Sequence, residues 1–149
     1  MVFVEIWHFG SLLEIIGDEQ FLIDELKKLN IDGYKIEISK KVKNGITGTY
    51  VNVIVEGRDE YGNVHHFQEH HHESTLNENV KILAKKIFLS VAKAEAKVHN
   101  KSLDEVHFHE VGAVDSIIDI VGTAILVNKI NPEKIFSSIV NDGYGFIEC

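Results

Sequence analysis

The chain has 149 residues, 44% hydrophobic and 26% charged, with a net charge of −8 at pH 7. That length fits a single domain, 1–149, with a sizeable core, and the acidic balance argues against nucleic acid or anionic membrane surfaces as main partners. No apolar run approaches the roughly 20 residues of a membrane span. The opening residues lack the basic lead of a signal peptide, and the lone Cys149 excludes an internal disulfide framework, so the cytoplasm is the expected location.

Val2–Trp7 alternates weakly and reads as a first strand. Gly10–Ile16 reads as a short helix ended by Gly17. Asp18 then caps a second helix, Glu19–Leu29, with Phe21, Leu22, Leu26 and Leu29 as its apolar stripe. Asn30 to Gly33 is a turn. Asn44-Gly45 between alternating runs predicts a hairpin. Pairing Lys43 with Ile46 sets Tyr34 opposite Val55, Ile36 opposite Val53 and Ile38 opposite Val51, with all three apolar pairs on one face. A slip of one residue would send one partner set to the wrong side. Lys40, Lys41 and Lys43 read as solvated edge charges, with an anion site as the weaker alternative.

Asp59 to Asn63 is a loop, and Val64–Phe67 is a candidate short strand. Residues 57–76 as a whole form a His-rich loop. Asn77 or Thr75 caps a long helix, and Thr75-x-x-Glu78 matches a capping box. Val80, Leu83, Ile87, Val91, Ala94 and Val98 recur at helical spacing and read as its core face. Glu95 and His99 lie one turn apart. A dipole-stabilised terminal histidine beside a carboxylate explains them better than a metal pair. Ser102 to Glu105 begins one helical turn and Val106–Val111 is a strand. Asp115 caps a very apolar helix, Ser116–Ile130, in which Gly122 allows close approach of a neighbour. Beyond Pro132, Ile135–Val140 reads as a last strand. Strand, helix and strand suggest a β-α-β crossover. The expected fold class is α+β or α/β, in two layers: a mixed sheet containing the antiparallel hairpin, with helices packed on it.

Five of the nine histidines fall in one run, His65, His66, His70, His71 and His72, followed by polar residues. Imidazole suits nickel, zinc and copper, and short His-rich tracts are a compositional sign of metal handling. The run reads as a metal-gathering loop, with a merely solvated loop as the plain alternative. A second element carries His107, His109 and Glu110. On a strand, His107 and His109 share a face roughly 6 to 7 Å apart. Asp115 and Asp119 share a helix face. Strand end and helix start converge at Gly112, where open α/β sheets bind ligands. Imidazole and carboxylate together suit a borderline metal. The competing reading makes Asp115 a plain cap, Asp119 hydrogen-bonded to it or to a histidine, and the histidines part of a polar core.

The segments Glu95 to His99 and Glu105 to Gly122 closely resemble the signature of the LarC-type nickel insertion proteins, and Asn44-Gly45-Ile46-Thr47-Gly48-Thr49, the His run and Asn77–Phe88 agree with it. The resemblance covers roughly Gly10 to Cys149. It implies CTP-dependent insertion of nickel(II), with magnesium or manganese, into pyridinium-3,5-bisthiocarboxylic acid mononucleotide, giving the nickel-pincer cofactor of lactate racemase. It further implies that His65, His66, His70, His71 and His72 collect nickel while His107, His109, Glu110, Asp115 and Asp119 hold or transfer it. Neither composition nor spacing points to the nucleotide.

Three departures qualify the resemblance. The family's opening run of small residues, Asp and Cys is not found in Met1–Phe9. The stretch after the His run is short, and the match ends near the middle of the longer family protein. The expectation is therefore a nickel-handling half that does not turn over alone, that needs a C-terminal half or partner chain for CTP, and whose self-association is open. Neither G-x-x-x-x-G-K-[ST] nor G-x-G-x-x-G occurs. The alternatives are a non-catalytic nickel-binding metallochaperone or store, and a structural or assembly domain.

Overall fold

A computed structural model of the chain describes residues 3–55, 74–103 and 114–139, with side chains from His8 onward. Four helices and one hairpin make up the described residues: α1 Phe3–Ile16, α2 Glu19–Lys27, β1 Tyr34–Lys43, β2 Ile46–Val55, α3 Glu78–His99 and α4 Val114–Ile130. The fold is α+β, with helices laid against one face of a two-stranded antiparallel sheet.

The expected first strand is instead the beginning of α1, which runs from Phe3 without a break through the segment assigned to a short helix. A short apolar run satisfies either period, and Gly10, at the boundary between the two expected elements, is carried inside the helix. Helix α1 ends at Gly17, whose N–H donates to the Leu13 carbonyl at 2.8 Å with φ at +68°. Glycine adopts that left-handed closing conformation at no steric cost. Asp18 caps α2 as expected, its carboxylate accepting from the Phe21 N–H at 2.9 Å. Leu22 and Leu26 are buried, and so is Leu29 in the turn beyond.

The hairpin has the expected register, from Tyr34↔Val55 through Ile36↔Val53 and Ile38↔Val51 to Lys43↔Ile46. Asn44 and Gly45 have φ of +52° and +78°, as a primed two-residue turn requires. The apolar face of the hairpin meets α1 and α4.

Helix α3 starts at Glu78 with Asn77 as its cap, its side chain accepting from the Asn79 N–H at 2.8 Å. Of the two proposed caps Asn77 serves and Thr75 does not; the Thr75 N–H donates to the Lys28 carbonyl. The helix closes at Asn100 in the left-handed region, with Lys101 N–H on Ala96 O and Asn100 N–H on Lys97 O, a Schellman arrangement. The buried face differs from the expected stripe. It is Val80, Ala84, Phe88, Ala92 and Ala96, while Ala94 is exposed and Val98 is 78% exposed. Val80 is common to both; Leu83 packs partly buried against the core beside this row.

Helix α4 is buried on most sides, through Ile117, Ile118, Val121, Gly122, Ala124, Ile125 and Leu126. It touches α1, α2, α3 and β2. It begins at Val114, so Asp115 lies in its first turn and is not the residue preceding it. A Cβ on Gly122 would stand 2.4 Å from the Phe9 ring, and a Cβ on Gly10 would stand 1.9 Å from the Thr49 carbonyl oxygen. Phe9-Gly10 is thus pinched between α4 and the hairpin, which accounts for the close approach expected at Gly122.

The strand expected over Ile135–Val140 is not formed at 135–139, and Val140 lies outside the described residues. Ile135, Phe136 and Ile139 are 73%, 85% and 89% exposed. A strand exists only where a ladder partner supplies its hydrogen bonds, and no described strand runs beside this segment. The first strand of the expected crossover, Val106–Val111, and the short strand Val64–Phe67 lie outside the described residues, as do Asp104 and Glu105 of the expected turn Ser102–Glu105. No described helix is long and apolar enough to cross a membrane.

Candidate functional site

Of the ten expected metal ligands, His65, His66, His70, His71, His72, His107, His109 and Glu110 lie outside the described residues. Asp115 and Asp119 are described. Both occupy the start of α4, separated by one turn, and both are partly exposed. One Asp115 carboxylate oxygen accepts from the Ser116 N–H at 2.7 Å. Asp115 stands in the first turn, at the positive end of the helix dipole, where negative charge is favoured. Among the described residues no group of three or more His, Cys, Asp or Glu side chains is close enough to hold a metal ion.

Glu95 and His99 meet at 3.2 Å near the end of α3, both partly exposed. This is the expected terminal histidine beside a carboxylate, at the helix end that favours a cation.

A polar cluster that sequence reasoning did not anticipate lies where α1 crosses the hairpin. Lys40 ion-pairs with Glu14 of α1 and donates to the Thr49 hydroxyl at 2.7 Å. Thr49 in turn donates to Glu14 at 2.8 Å and is only 4% exposed. These bonds from Lys40 first, then Thr49, hold the Glu14 carboxyl below its usual range. The expectation of a merely solvated edge charge therefore fails for Lys40. Lys41 also has a partner, its ammonium lying 3.3 Å from the centre of the Tyr50 ring, a cation–π contact. Glu14 and Lys40 are 26 residues apart, so no local pattern could have paired them.

Two cavities open on this cluster. One of about 390 Å³ is lined by Ser11 and Glu14 of α1 and by Lys43, Asn44, Ile46, Thr47 and Gly48 at the hairpin end. The other, about 210 Å³, is lined by Leu13, Glu14, Gly17, Glu19, Lys40 and Thr49. Glu14 belongs to both walls. A third, about 350 Å³, lies between α2 and the start of β1. There burial, followed by the nearby Asp32 charge, raises the Tyr34 phenol above its usual value.

Comparison with known proteins gives these residues a context. A relative from Acetivibrio thermocellus, named pyridinium-3,5-bisthiocarboxylic acid mononucleotide nickel insertion protein, is 52% identical over 153 aligned positions, covering 94% of this chain and 37% of the relative. Proteins of the same name from Clostridium acetobutylicum and Geobacillus kaustophilus are 43% and 44% identical, covering 95% and 94% of this chain. The Clostridium acetobutylicum alignment runs to 178 positions, more than this chain has, so that relative carries inserted residues. The chain spans between 36% and 42% of the length of these relatives. No solved structure matches it significantly. The family described as nickel insertion protein matches residues 7–149, slightly earlier than the start the motifs suggest, and the chain belongs to that family.

Proposed function

We propose that this chain handles nickel for insertion into pyridinium-3,5-bisthiocarboxylic acid mononucleotide. The observation that carries the reading is the family match over 7–149, which takes in every His-rich segment. In this reading nickel is cargo. His65, His66, His70, His71 and His72 gather it from solution, and a second set of His107, His109, Glu110, Asp115 and Asp119 receives it for transfer. A hexaaqua ion exchanges its waters stepwise, and neutral imidazoles followed by carboxylates give a borderline metal successive nitrogen and oxygen ligands. The start of α4 suits the receiving role because it is a fixed element, packed on most sides, that presents two carboxylates one turn apart. The nucleotide step belongs to the longer proteins named above. CTP with magnesium or manganese acts there as co-substrate in this reading, and these 149 residues do not bind it alone.

The test is metal analysis of the untagged protein, then calorimetric titration with nickel, zinc and cobalt. Nickel should bind with more than one site per chain. Replacing His70, His71 and His72 by Ala should lower that stoichiometry and leave the melting temperature nearly unchanged. Absence of nickel binding at neutral pH refutes the proposal. A collapse in melting temperature of the metal-free variant would make the run structural.

A further inference from the structure

Helix α3 carries the opposite charge to the chain it belongs to. Five of its 22 residues are lysines and two are glutamates, while the whole chain is −8. The lysines fall in order. The buried row of α3 runs Val80, Ala84, Phe88, Ala92 and Ala96. The neighbouring row, one residue on and about 100° round, is Lys81, Lys85, Leu89, Lys93 and Lys97. Lys81 is mostly covered and pairs with Glu78 at 3.1 Å, and Glu95 is engaged by His99. Lys85, Lys93 and Lys97 are exposed and pair with no described acid. They mark out about 18 Å of helix. Beside them runs a row of Ile82, Lys86, Ser90, Ala94 and Val98, all exposed, with Ile82 at 52% and Val98 at 78%. Lysines four apart, such as Lys93 and Lys97, repel and weaken a helix, so this face works against the stability of α3.

We propose that the exposed face of α3 docks an acidic amphipathic helix of a partner protein. Carboxylates at four-residue spacing on such a helix would meet Lys85, Lys93 and Lys97 in turn, and its apolar side chains would cover Leu89, Ile82 and Val98. Complementary charge of this kind selects the partner and its register more than it adds affinity. A second copy of this chain meeting α3 with its own α3 would set lysine against lysine, which is repulsive. Nucleic acid fits less well. Its backbone is a continuous polyanion that the remaining acidic surface repels, and it gives exposed isoleucine and valine nothing to pack against. The forked phosphate contact belongs to arginine, and α3 has none. An anionic membrane meets the same repulsion from the rest of the chain.

The experiment is a titration of the full chain, followed by amide-resolved NMR, with a synthetic helical peptide of about 20 residues. The peptide carries glutamate at every fourth position and leucine on the adjoining row. It should move the signals of Lys85, Leu89, Lys93 and Lys97, and bind less tightly as salt is raised. A peptide of the same composition with its glutamates spread round the helix should bind roughly tenfold less tightly. Changing Lys85→Gln, Lys93→Gln and Lys97→Gln together should weaken the ordered peptide by roughly tenfold. The melting temperature should hold or rise slightly, because repulsion along the row is relieved. Where the triple variant fails to fold, Lys93→Gln alone carries the test, with a loss of roughly twofold. Four results overturn the proposal: no binding, equal binding of the two peptides, signal changes confined to other residues, or an affinity that the lysine changes leave unaltered. Tighter binding of an RNA duplex or of anionic lipid vesicles, titrated in parallel, overturns it as well and reassigns the lysines to phosphate.

Discussion

The junction of α1, α4 and the hairpin and the opening turns of α4 lie close together in the fold and are built on opposite principles. At the junction two glycines hold backbones and a phenyl ring at contact distance. A Cβ at Gly10 would press on backbone oxygen, and one at Gly122 on the Phe9 ring. At the start of α4, Asp115 and Asp119 are partly exposed. Stability therefore resides in residues with no chemistry to offer, and the carboxylates assigned to nickel lie at the edge of the same helix. Stability and metal binding should be separable by mutation, and the following changes break or sharpen that separation.

Gly10→Ala should have the largest effect on folding, because the obstacle is backbone that cannot rotate away. Overpacking typically costs 1–3 kcal/mol and sometimes more, and about 3 kcal/mol or more is expected here. Gly122→Ala should cost about 1–3 kcal/mol, since the Phe9 ring can shift. Urea unfolding measures both; a Gly10→Ala protein as stable as the parent would remove the close approach of α1 to β2. Neither change should alter nickel affinity per folded molecule.

The converse changes are Asp115→Asn and Asp119→Asn. Asp115 accepts the Ser116 N–H, and an Asn side-chain oxygen can do the same, so little stability should be lost. Nickel affinity should fall by roughly 10- to 100-fold if these groups ligate or orient a ligand. Calorimetry that finds nickel binding unchanged in both variants takes them out of the site.

Proton competition gives a smaller and graded effect. Imidazole must be neutral to bind a metal, so nickel affinity should decline as the pH drops through roughly 6.5. Affinity that is flat between pH 8 and pH 5 would transfer the binding to carboxylates. The smallest effect is expected at Glu14. Its pKa is lowered in the folded chain, by Lys40 first and Thr49 next. A lowered folded value means that the stabilisation is complete above the ordinary carboxylate pKa of 4.5 and is lost as the pH falls through the folded value. Glu14→Gln should therefore be slightly less stable at pH 7, and the gap should close on acidification. A gap that persists at pH 2 would assign the loss to packing.

Local chemistry was legible wherever a few adjacent residues decide the outcome. Asn44-Gly45 and the alternation around it determined the hairpin and its full register, because side-chain faces alternate with period two and only one register buries all three apolar pairs. Asp18 and Gly17 determined the break between α1 and α2 through a cap and a left-handed close. The family, too, was readable in order and spacing along the chain. Other features depended on what lies across space. Residues near the N-terminus joined a helix because their apolar pattern fitted both periods and the adjoining turn decided between them. The buried face of α3 fell on Val80, Ala84, Phe88, Ala92 and Ala96, beyond Val80 one position round from the expected stripe, because the packing of the neighbouring elements selects which side of the helix is covered. The segment 135–139 has strand composition and no strand, since a strand's hydrogen bonds come from a neighbour. Lys40 found Glu14, and Gly10 found Thr49, across 26 and 39 residues of sequence. Pairings of that kind are made when elements pack, and no single stretch of the chain encodes them.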